Sequence, residues 1–152
     1  MFQLDSLLTP ERTLCQAPGL SKKRIFETAA NFICEDRTSF ETDEVYSKLL
    51  ARERLGSTAL GDGIAIPHCR ISNCEQAIGT LITLDQGIDF DAPDSGAVDI
   101  LFLLLVPEEA QQEHLNILAG LAQLLSNHLF CQALRGATTA DELYRAAVDF
   151  RI

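Results

Sequence analysis

A nearly continuous apolar run from Val98 to Val106 is the feature that most constrains the fold of this chain. A strand with one solvated face carries polar residues at every second position, whereas this run is apolar almost throughout. It therefore predicts a central strand that other elements cover on both faces. Its longest uninterrupted stretch, Ile100 to Val106, has seven residues. That is far too few to span a bilayer, which takes about 20.

Helical patterns lie before and after this strand. Ser21, Thr42 and Thr139 stand where N-caps are expected, and Gly56 is a natural stop for the second helix. The predicted helices cover residues 22 to about 36, 43–54, 108 to about 126, 129–134 and 140–148. The predicted strands are Gly63–Ile66, Ala77–Leu84 and Val98–Val106, and the first twenty residues are ambiguous, with a short helix and then a strand near Thr13–Gln16 as one interpretation.

Because helices precede, interrupt and follow the strands, the predicted fold class is α+β, arranged as a three-layer structure in which a mixed β-sheet is sandwiched by helices. The chain has 152 residues, of which 47% are hydrophobic and 22% charged. These values are ordinary for a soluble globular protein, and the length suits one domain over residues 1–152.

Charge and cysteine content restrict the partners and the compartment. The formal net charge of −10 disfavours nucleic acid, which requires a basic face, and disfavours an anionic membrane surface. No basic region precedes an apolar run at the start, so we expect no secretory signal. The longest apolar run is too short to span a bilayer, so we also expect no membrane insertion. The five cysteines are an odd number without framework spacing, which favours a reduced, cytoplasmic protein.

The segment from Arg52 to His68 concentrates residue types that hold phosphate. It contains two arginines, two hydroxyls and three glycines that allow a close approach of the backbone. A short apolar strand, Gly63–Ile66, precedes Pro67 and presents His68 at its mouth. A neutral imidazole beside anion-binding groups can accept a phosphoryl group if one ring nitrogen is free and the other donates its proton. The alternative is a surface histidine or one satisfied by its neighbours.

Arg52 and His114 are the next candidates, because helical spacing places both on inward faces. Arg52 follows Leu49 by three residues, so it is either a structural ion pair or a clamp for a phosphoryl group. His114 shares a face with Leu118 and Leu121, so it is either a core-edge histidine or a second imidazole that donates to a bound phosphate. His128, in a polar turn between helices, is predicted to be structural or exposed.

Ser57 and Thr58 are either turn residues after the second helix or contacts to an anion. Cys69 and Cys74 with His68 suggest a metal, but the Cys-x4-Cys spacing is loose and no second pair follows at zinc-finger distance. We therefore expect no metal and no cofactor. The sequence also has no phosphate loop of the Gly-x4-Gly-Lys-Ser/Thr type, so a phosphoryl donor other than ATP is expected.

Four segments carry a resemblance to a known family. The block from Arg52 to His68, with Gly-Ser-Thr at 56–58 and Ile-Pro-His at 66–68, resembles the signature of the mannitol/fructose-type IIA domains (EIIA type 2) of the bacterial phosphoenolpyruvate-dependent phosphotransferase system. The likeness continues through 97–107, His114-Leu115 and 141–144, and these later blocks favour the nitrogen-regulatory branch of the family.

The resemblance implies a fold, a site and partners. It implies the EIIA fold, phosphorylation of His68 on Nε2, and a phosphate pocket lined by Arg52 and His114. The donor would be an HPr-like phosphocarrier of the NPr type, charged from phosphoenolpyruvate by enzyme I. The chain would be a phosphohistidine carrier rather than a turnover enzyme on a small molecule. Regulated targets in this branch include potassium transporters and sensor kinases.

Other functions remain open at this point. One is a sugar-specific (fructose or mannitol) component that passes phosphate to a IIB domain, and another is an interaction module that is never phosphorylated. A third is a small hydrolase with His68 as general base. Cys69 stands where the family usually has glycine, which would add redox sensitivity only if the thiol is exposed and its thiolate favoured.

Overall fold

The computed structural model describes residues 3–150, with Glu113 described by its backbone alone. Short 3-10 turns at Leu4–Ser6 and Pro10–Arg12 open the described chain. The helices are α1 (Lys22–Asp36), α2 (Thr42–Leu55), α3 (Gln112–Leu125), α4 (His128–Gly136) and α5 (Ala140–Val148). The strands are β1 (Thr13–Ala17), β2 (Ala59–Gly61), β3 (Ile64–Ala65), β4 (His68–Ile71), β5 (Ile78–Ile88) and β6 (Val98–Pro107).

Strand β6 is central to a mixed sheet, as the apolar run predicts. It pairs with β5 in antiparallel and with both β3 and β4 in parallel orientation. Strand β1 lies parallel to β5 at one edge, and β2 lies antiparallel to β3 at the other. Because β3 and β4 follow one another along the same side of β6, the chain between them, Ile66-Pro67, stays next to the centre of the sheet.

Two hydrophobic layers cover the two faces of β6. Leu101, Leu103 and Leu105 pack with apolar residues of α1 and α2, among them Phe26 and Leu49. The alternate residues of β6 pack with apolar residues of α3, α4 and α5; these are Ile100, Phe102, Leu104 and Val106. The predicted α+β fold, with its mixed sheet between helical layers, is therefore confirmed.

Replacing Leu103 with alanine is expected to destabilise the protein by about 2–5 kcal/mol, since the side chain is fully buried in the central strand and its loss leaves a cavity. Urea unfolding followed by circular dichroism measures the change. Leu129, which is 68% exposed, provides a matched control, because the same substitution there should change stability by no more than about 0.5 kcal/mol. Equal effects at both positions would contradict the packing described here.

The helix boundaries differ from the prediction at two N-termini. Helix α2 begins at Thr42 with Glu41 in the N-cap position, so Thr42 is not the cap. Helix α3 begins at Gln112 rather than near residue 108, because the chain after the central strand first makes a turn in which Ala110 N–H donates to the Pro107 carbonyl. The predicted caps Ser21 and Thr139 are confirmed by their hydrogen bonds to Arg24 N–H and Glu142 N–H.

The strand prediction needs a larger correction around His68. The short strand β3 ends at Ala65, before Pro67, and His68 is the first residue of a further strand, β4, that the sequence analysis did not predict. Strand β2 was also missed. Strand β4 takes its hydrogen bonds from β6, which is distant in sequence, so local periodicity gives no sign of it. Strand β2 forms a hairpin with the adjacent β3 across Asp62-Gly63, both at positive φ, and this Asp-Gly pair is the local signal that could have predicted it.

Within residues 3–150, no single helix is long and apolar enough to cross a membrane. Two consecutive helical segments, His114–Leu125 and His128–Gly136, would together be long and apolar enough, but the chain bends by 79° between them. Both helices bury an apolar face against the sheet.

Candidate functional site

His68 lies where β4 begins, directly after the Ile66-Pro67 break, and its ring is half-buried. Its Nδ1 atom is 2.7 Å from the carbonyl oxygen of Ile66. A carbonyl oxygen can only accept a hydrogen bond, so Nδ1 carries the proton in this contact. In the neutral ring this leaves the lone pair on Nε2 free, which is the arrangement that a nucleophilic imidazole requires.

The surroundings of His68 favour the neutral ring. Burial lowers the pKa of His68 below its ordinary value of 6.5, and the positive charge of Arg52 acts in the same direction. The hydrogen bond to Ile66 and the negative charge of Glu53 oppose this shift in pKa but do not cancel it. Near pH 7 the imidazole is therefore uncharged and able to donate its Nε2 lone pair.

His114 is the nearest aromatic neighbour that the structure gives to His68. The ring centroids are 5.5 Å apart, with the ring planes at 63°. His114 is buried near the N-terminus of α3, and its Nδ1 has no hydrogen-bond partner among the described residues. Burial lowers the pKa of His114, and the positive charges of His68, when its ring is protonated, and of Arg70 lower it further. The predicted inward face of this residue is correct, and the fold brings the two imidazoles together.

Arg52 is half-buried in the last turn of α2, and its Nη1 donates to the Gly56 carbonyl at 2.9 Å. It makes no ion pair with any residue in the described part of the chain, so the structural ion pair considered above is not observed. Its charge is close enough to lower the pKa of His68. The contact with Gly56 holds the guanidinium at the C-terminal end of the helix, on the side of the molecule that carries His68.

The hydroxyls of Ser57 and Thr58 are used within the protein. Ser57 Oγ donates to the Phe90 carbonyl at 2.8 Å, and Thr58 Oγ1 donates to Glu53 Oε1 at 2.6 Å. Each hydroxyl has one proton, so neither can donate to an anion unless it breaks its present bond. In this structure the two residues hold the segment after α2 in place.

Glu53 is the residue of this site that the sequence analysis missed. It is buried, and the spacing of four residues from Val45 to Leu49 and again from Leu49 to Glu53 places it on the inward stripe of α2. Arg52, which is predicted on that stripe, lies one residue to the side and is only half-buried. The signal was present in the spacing, but a carboxylate at an apolar position is easily taken for a solvated charge between two arginines.

Cys69 does not share the surroundings of His68. Successive residues of a strand point to opposite faces, and Cys69 packs in the core formed with α1 and α2. Burial raises the pKa of its thiol to about 12. The two conditions for redox sensitivity, exposure and a favoured thiolate, are therefore both absent. In the part of the chain that the structure describes, no three His, Cys, Asp or Glu side chains gather as metal ligands would.

We expect the free energy of unfolding to rise with pH just below pH 6.5. Burial lowers the pKa of both His68 and His114 in the folded state, whereas in the unfolded chain both return to about 6.5. Between the lowered value and 6.5 the unfolded chain binds more protons, so stability is lost as the pH falls through this window. Urea unfolding at about pH 7.5, 6.5 and 5.5 tests this. A His68→Gln/His114→Gln variant should lose most of the slope, and an unchanged slope would contradict the assignment.

A comparison with protein families matches residues 6–147 to the model described as phosphoenolpyruvate-dependent sugar phosphotransferase system, EIIA 2. Among curated proteins, the chain is 46% identical to a nitrogen regulatory protein of Pseudomonas aeruginosa over 149 residues, which are 98% of this chain and 97% of that protein.

Solved structures of IIA proteins are also similar to this chain. Nitrogen regulatory protein IIA-Ntr from Neisseria meningitidis is similar with a TM-score of 0.85 and 39% identity, covering 95% of this chain and 98% of that chain. The IIA mannitol structure from Escherichia coli is similar with a TM-score of 0.74 at 19% identity, covering 92% of this chain and 98% of that one. At that identity the second likeness concerns the fold alone.

Proposed function

Because the chain belongs to the EIIA 2 family of the phosphoenolpyruvate-dependent sugar phosphotransferase system, and within it to the nitrogen regulatory IIA proteins, we propose that it is a phosphoryl carrier that accepts the group on Nε2 of His68. The observation that supports this most directly is the hydrogen bond from Nδ1 to the Ile66 carbonyl. It fixes the tautomer in which Nε2 is the free nitrogen, and burial keeps that ring neutral.

The donor in this proposal is the phosphohistidine of an HPr-like phosphocarrier of the NPr type, charged from phosphoenolpyruvate by enzyme I. The donor ring carries a proton on its other nitrogen. The Nε2 lone pair of His68 attacks phosphorus in line, the bond from phosphorus to the donor's ring nitrogen breaks, and that nitrogen keeps the electron pair, so the donor leaves as a neutral imidazole and the positive charge passes to the ring of His68. The proton on Nδ1 of His68 stays in its hydrogen bond to Ile66 throughout. One P–N bond replaces another, so the two ends of the step differ little in energy.

Arg52 and His114 are proposed to stabilise the transferring group. The oxygens of a phosphoryl group carry negative charge through the transition state, and a fixed cation beside them lowers the barrier. Arg52 supplies that charge from the end of α2, and its Gly56 contact limits the motion of the guanidinium. His114 lies within ring contact of His68 and would donate a hydrogen bond to the phosphoryl group once the ring carries a proton on the nitrogen that faces it.

The role that follows is regulatory. Phosphorylation adds a charge of about −1.5 to −2 beside His68, on a chain whose net charge is already −10. A partner that docks over the neutral ring would be excluded by the new charge, or one with basic groups would be recruited. Potassium transporters and sensor kinases are the classes of target that we propose, with the protein acting in the cytoplasm as a single domain over residues 1–152.

The nitrogen branch is favoured over sugar uptake by the degree of similarity. Identity is 46% and 39% to nitrogen regulatory proteins over nearly the whole chain, whereas it is 19% to the mannitol protein. Transfer to a IIB domain therefore remains the second candidate.

A reconstituted phosphotransfer assay tests the proposal. The protein is incubated with phosphoenolpyruvate, enzyme I and an HPr-like carrier, and it is then analysed by intact mass and by ³¹P NMR. We expect the mass of one phosphoryl group and an acid-labile phosphohistidine. If a carrier shown to be charged transfers nothing, the chain is an interaction module or the donor is mismatched, and an NMR titration for carrier docking separates the two. If phosphate is released from phosphoesters by the protein alone, it is a hydrolase.

A further inference from the structure

Glu53 is a buried carboxylate whose contacts lead towards His68. Its side chain is only 4% exposed, and a charge at such a position is tolerated only if it is paired and hydrogen-bonded. Oε1 accepts the Thr58 hydroxyl at 2.6 Å, both carboxylate oxygens lie 3.2 Å from the Thr58 backbone N–H, and Oε2 accepts from Lys22 Nζ at 2.8 Å. The carboxylate therefore has donors on both oxygens, and most of its bonds hold one residue of the loop.

The residue that Glu53 holds is joined to His68 by two further hydrogen bonds. The Thr58 carbonyl accepts from Ile66 N–H at 3.0 Å, and the Ile66 carbonyl accepts from His68 Nδ1 at 2.7 Å. The backbone of Ile66 is thus held through its N–H by Thr58, and through its carbonyl it holds the imidazole of His68. A displacement of Thr58 would move the carbonyl that selects the tautomer of His68.

Glu53 also connects this chain of bonds to α1. Lys22, the first residue of α1, pairs with Glu53, lies 4.5 Å from the centre of the Phe90 ring, and is 3.2 Å from Asp91. The ammonium balances the carboxylate charge and keeps it oriented towards Thr58. The negative charge of Glu53 in turn raises the pKa of His68, against the effect of Arg52.

We propose that Glu53 is a positioning residue for His68, which fixes the tautomer and the orientation of the imidazole through Thr58 and Ile66. The expected effect on phosphoryl transfer rests on the proposed function. The expected effect on the tautomer and orientation of the unphosphorylated ring does not depend on it. Glu53 touches neither the ring nor a phosphoryl group, so it acts only through the residues between. Outer partners that orient metal-binding imidazoles contribute about 10- to 100-fold to affinity or activity, and we expect an effect of that size here.

Glu53→Gln is the variant that tests the proposal. The amide keeps the shape but replaces one acceptor oxygen with a donor, which faces the N–H of Thr58 or the ammonium of Lys22. We expect a smaller population of the Nδ1–H tautomer and a lower pKa for His68, measured from the ring ¹⁵N shifts of the unphosphorylated protein. We also expect phosphoryl acceptance to slow by about 10- to 100-fold.

Glu44→Gln is the matched control. Glu44 lies on the same helix and accepts from the N–H and the hydroxyl of Ser72 at 3.0 and 2.7 Å, but Ser72 follows β4 and no bond leads from it to Ile66. This variant loses a comparable set of contacts, and the ring shifts of His68 should stay close to those of the parent. If Glu53→Gln also leaves the tautomer, the pKa and the rate unchanged, the positioning role is overturned, even if stability falls.

Two further measurements distinguish a failure of this inference from a folding defect and from a failure of the proposed function. If Glu53→Gln does not fold, Thr58→Val removes the same hydroxyl contact while it preserves the shape, and it should shift the tautomer in the same direction; unchanged ring shifts in Thr58→Val would overturn the inference. If the parent protein accepts no phosphate but the ring shifts of Glu53→Gln change as expected, the proposed function fails and the orientation of His68 by Glu53 is supported.

Discussion

Replacing His68 with alanine is expected to abolish phosphoryl acceptance. The ring supplies the only atom that we propose to bond to phosphorus, and the neighbouring His114 is proposed to donate a hydrogen bond to the phosphoryl group rather than to accept the group. Incubation with phosphoenolpyruvate, enzyme I and an HPr-like carrier, followed by intact mass measurement, should show the parent with one added phosphoryl group and the variant with none. Labelling of the variant at another residue would reassign the nucleophile.

Two further variants show whether the loss of phosphoryl acceptance in His68→Ala is specific to that site. His68→Gln keeps a polar side chain of similar volume in the half-buried position, so it limits the structural disturbance and should still accept nothing. His128→Ala removes a histidine that is exposed at the start of α4, and it should be phosphorylated as the parent is. If His128→Ala lost acceptance as well, the effect would not be specific to the proposed site.

Replacing Arg52 with alanine is expected to slow phosphoryl acceptance by about 100-fold, the size of effect that loss of one preorganised charge-stabilising group produces. The guanidinium is the fixed cation that we place beside the oxygens of the transferring group. A quenched-flow or time-resolved mass measurement gives the rate, and the ring ¹⁵N shifts of His68 report whether the nucleophile is intact. Acceptance at the parent rate would show that Arg52 is not the clamp.

The neighbouring arginine offers a matched control for Arg52. Arg54 lies in the same turn of α2 and is exposed, so Arg54→Ala should leave the rate close to that of the parent. Arg52→Lys keeps the charge but loses the planar donor fork that reaches the Gly56 carbonyl, and we expect a rate between those of the parent and Arg52→Ala. Equal losses in Arg52→Ala and Arg54→Ala would indicate a general effect of surface charge.

The local sequence predicted most of the helical layers and the central strand. A few neighbouring residues are enough to identify the N-caps Ser21 and Thr139 and the apolar run of β6. This is because helix capping requires particular residue types and burial on both faces requires apolar ones. The predicted start of α3 was wrong because the local sequence there fits two structures equally well. Nothing in the sequence distinguishes two glutamates in a turn after Pro107 from two glutamates in the first turn of a helix.

The short strands around the site could not be predicted in this way. Strand β4 has four residues and β3 has two, and both exist because β6 offers them backbone hydrogen bonds. The register that places His68 opposite Leu104 is a property of the pairing and not of the segment. The predicted strand Gly63–Ile66 was therefore wrong in its boundaries, although the prediction placed His68 correctly at the edge of regular structure.

The sequence by itself determined the α+β fold class, the candidate residues His68, Arg52 and His114, and the family to which they point. Each depends on residue types and spacings that can be recognised locally, segment by segment, along the chain. Only the tertiary structure decided that the two ring centroids lie 5.5 Å apart, that Nδ1 of His68 donates to Ile66, and that the Glu53 carboxylate accepts from the backbone N–H of Thr58. These are contacts between segments far apart in the chain or between a side chain and a peptide, and their geometry exists only once the sheet has paired and the helices have packed against it.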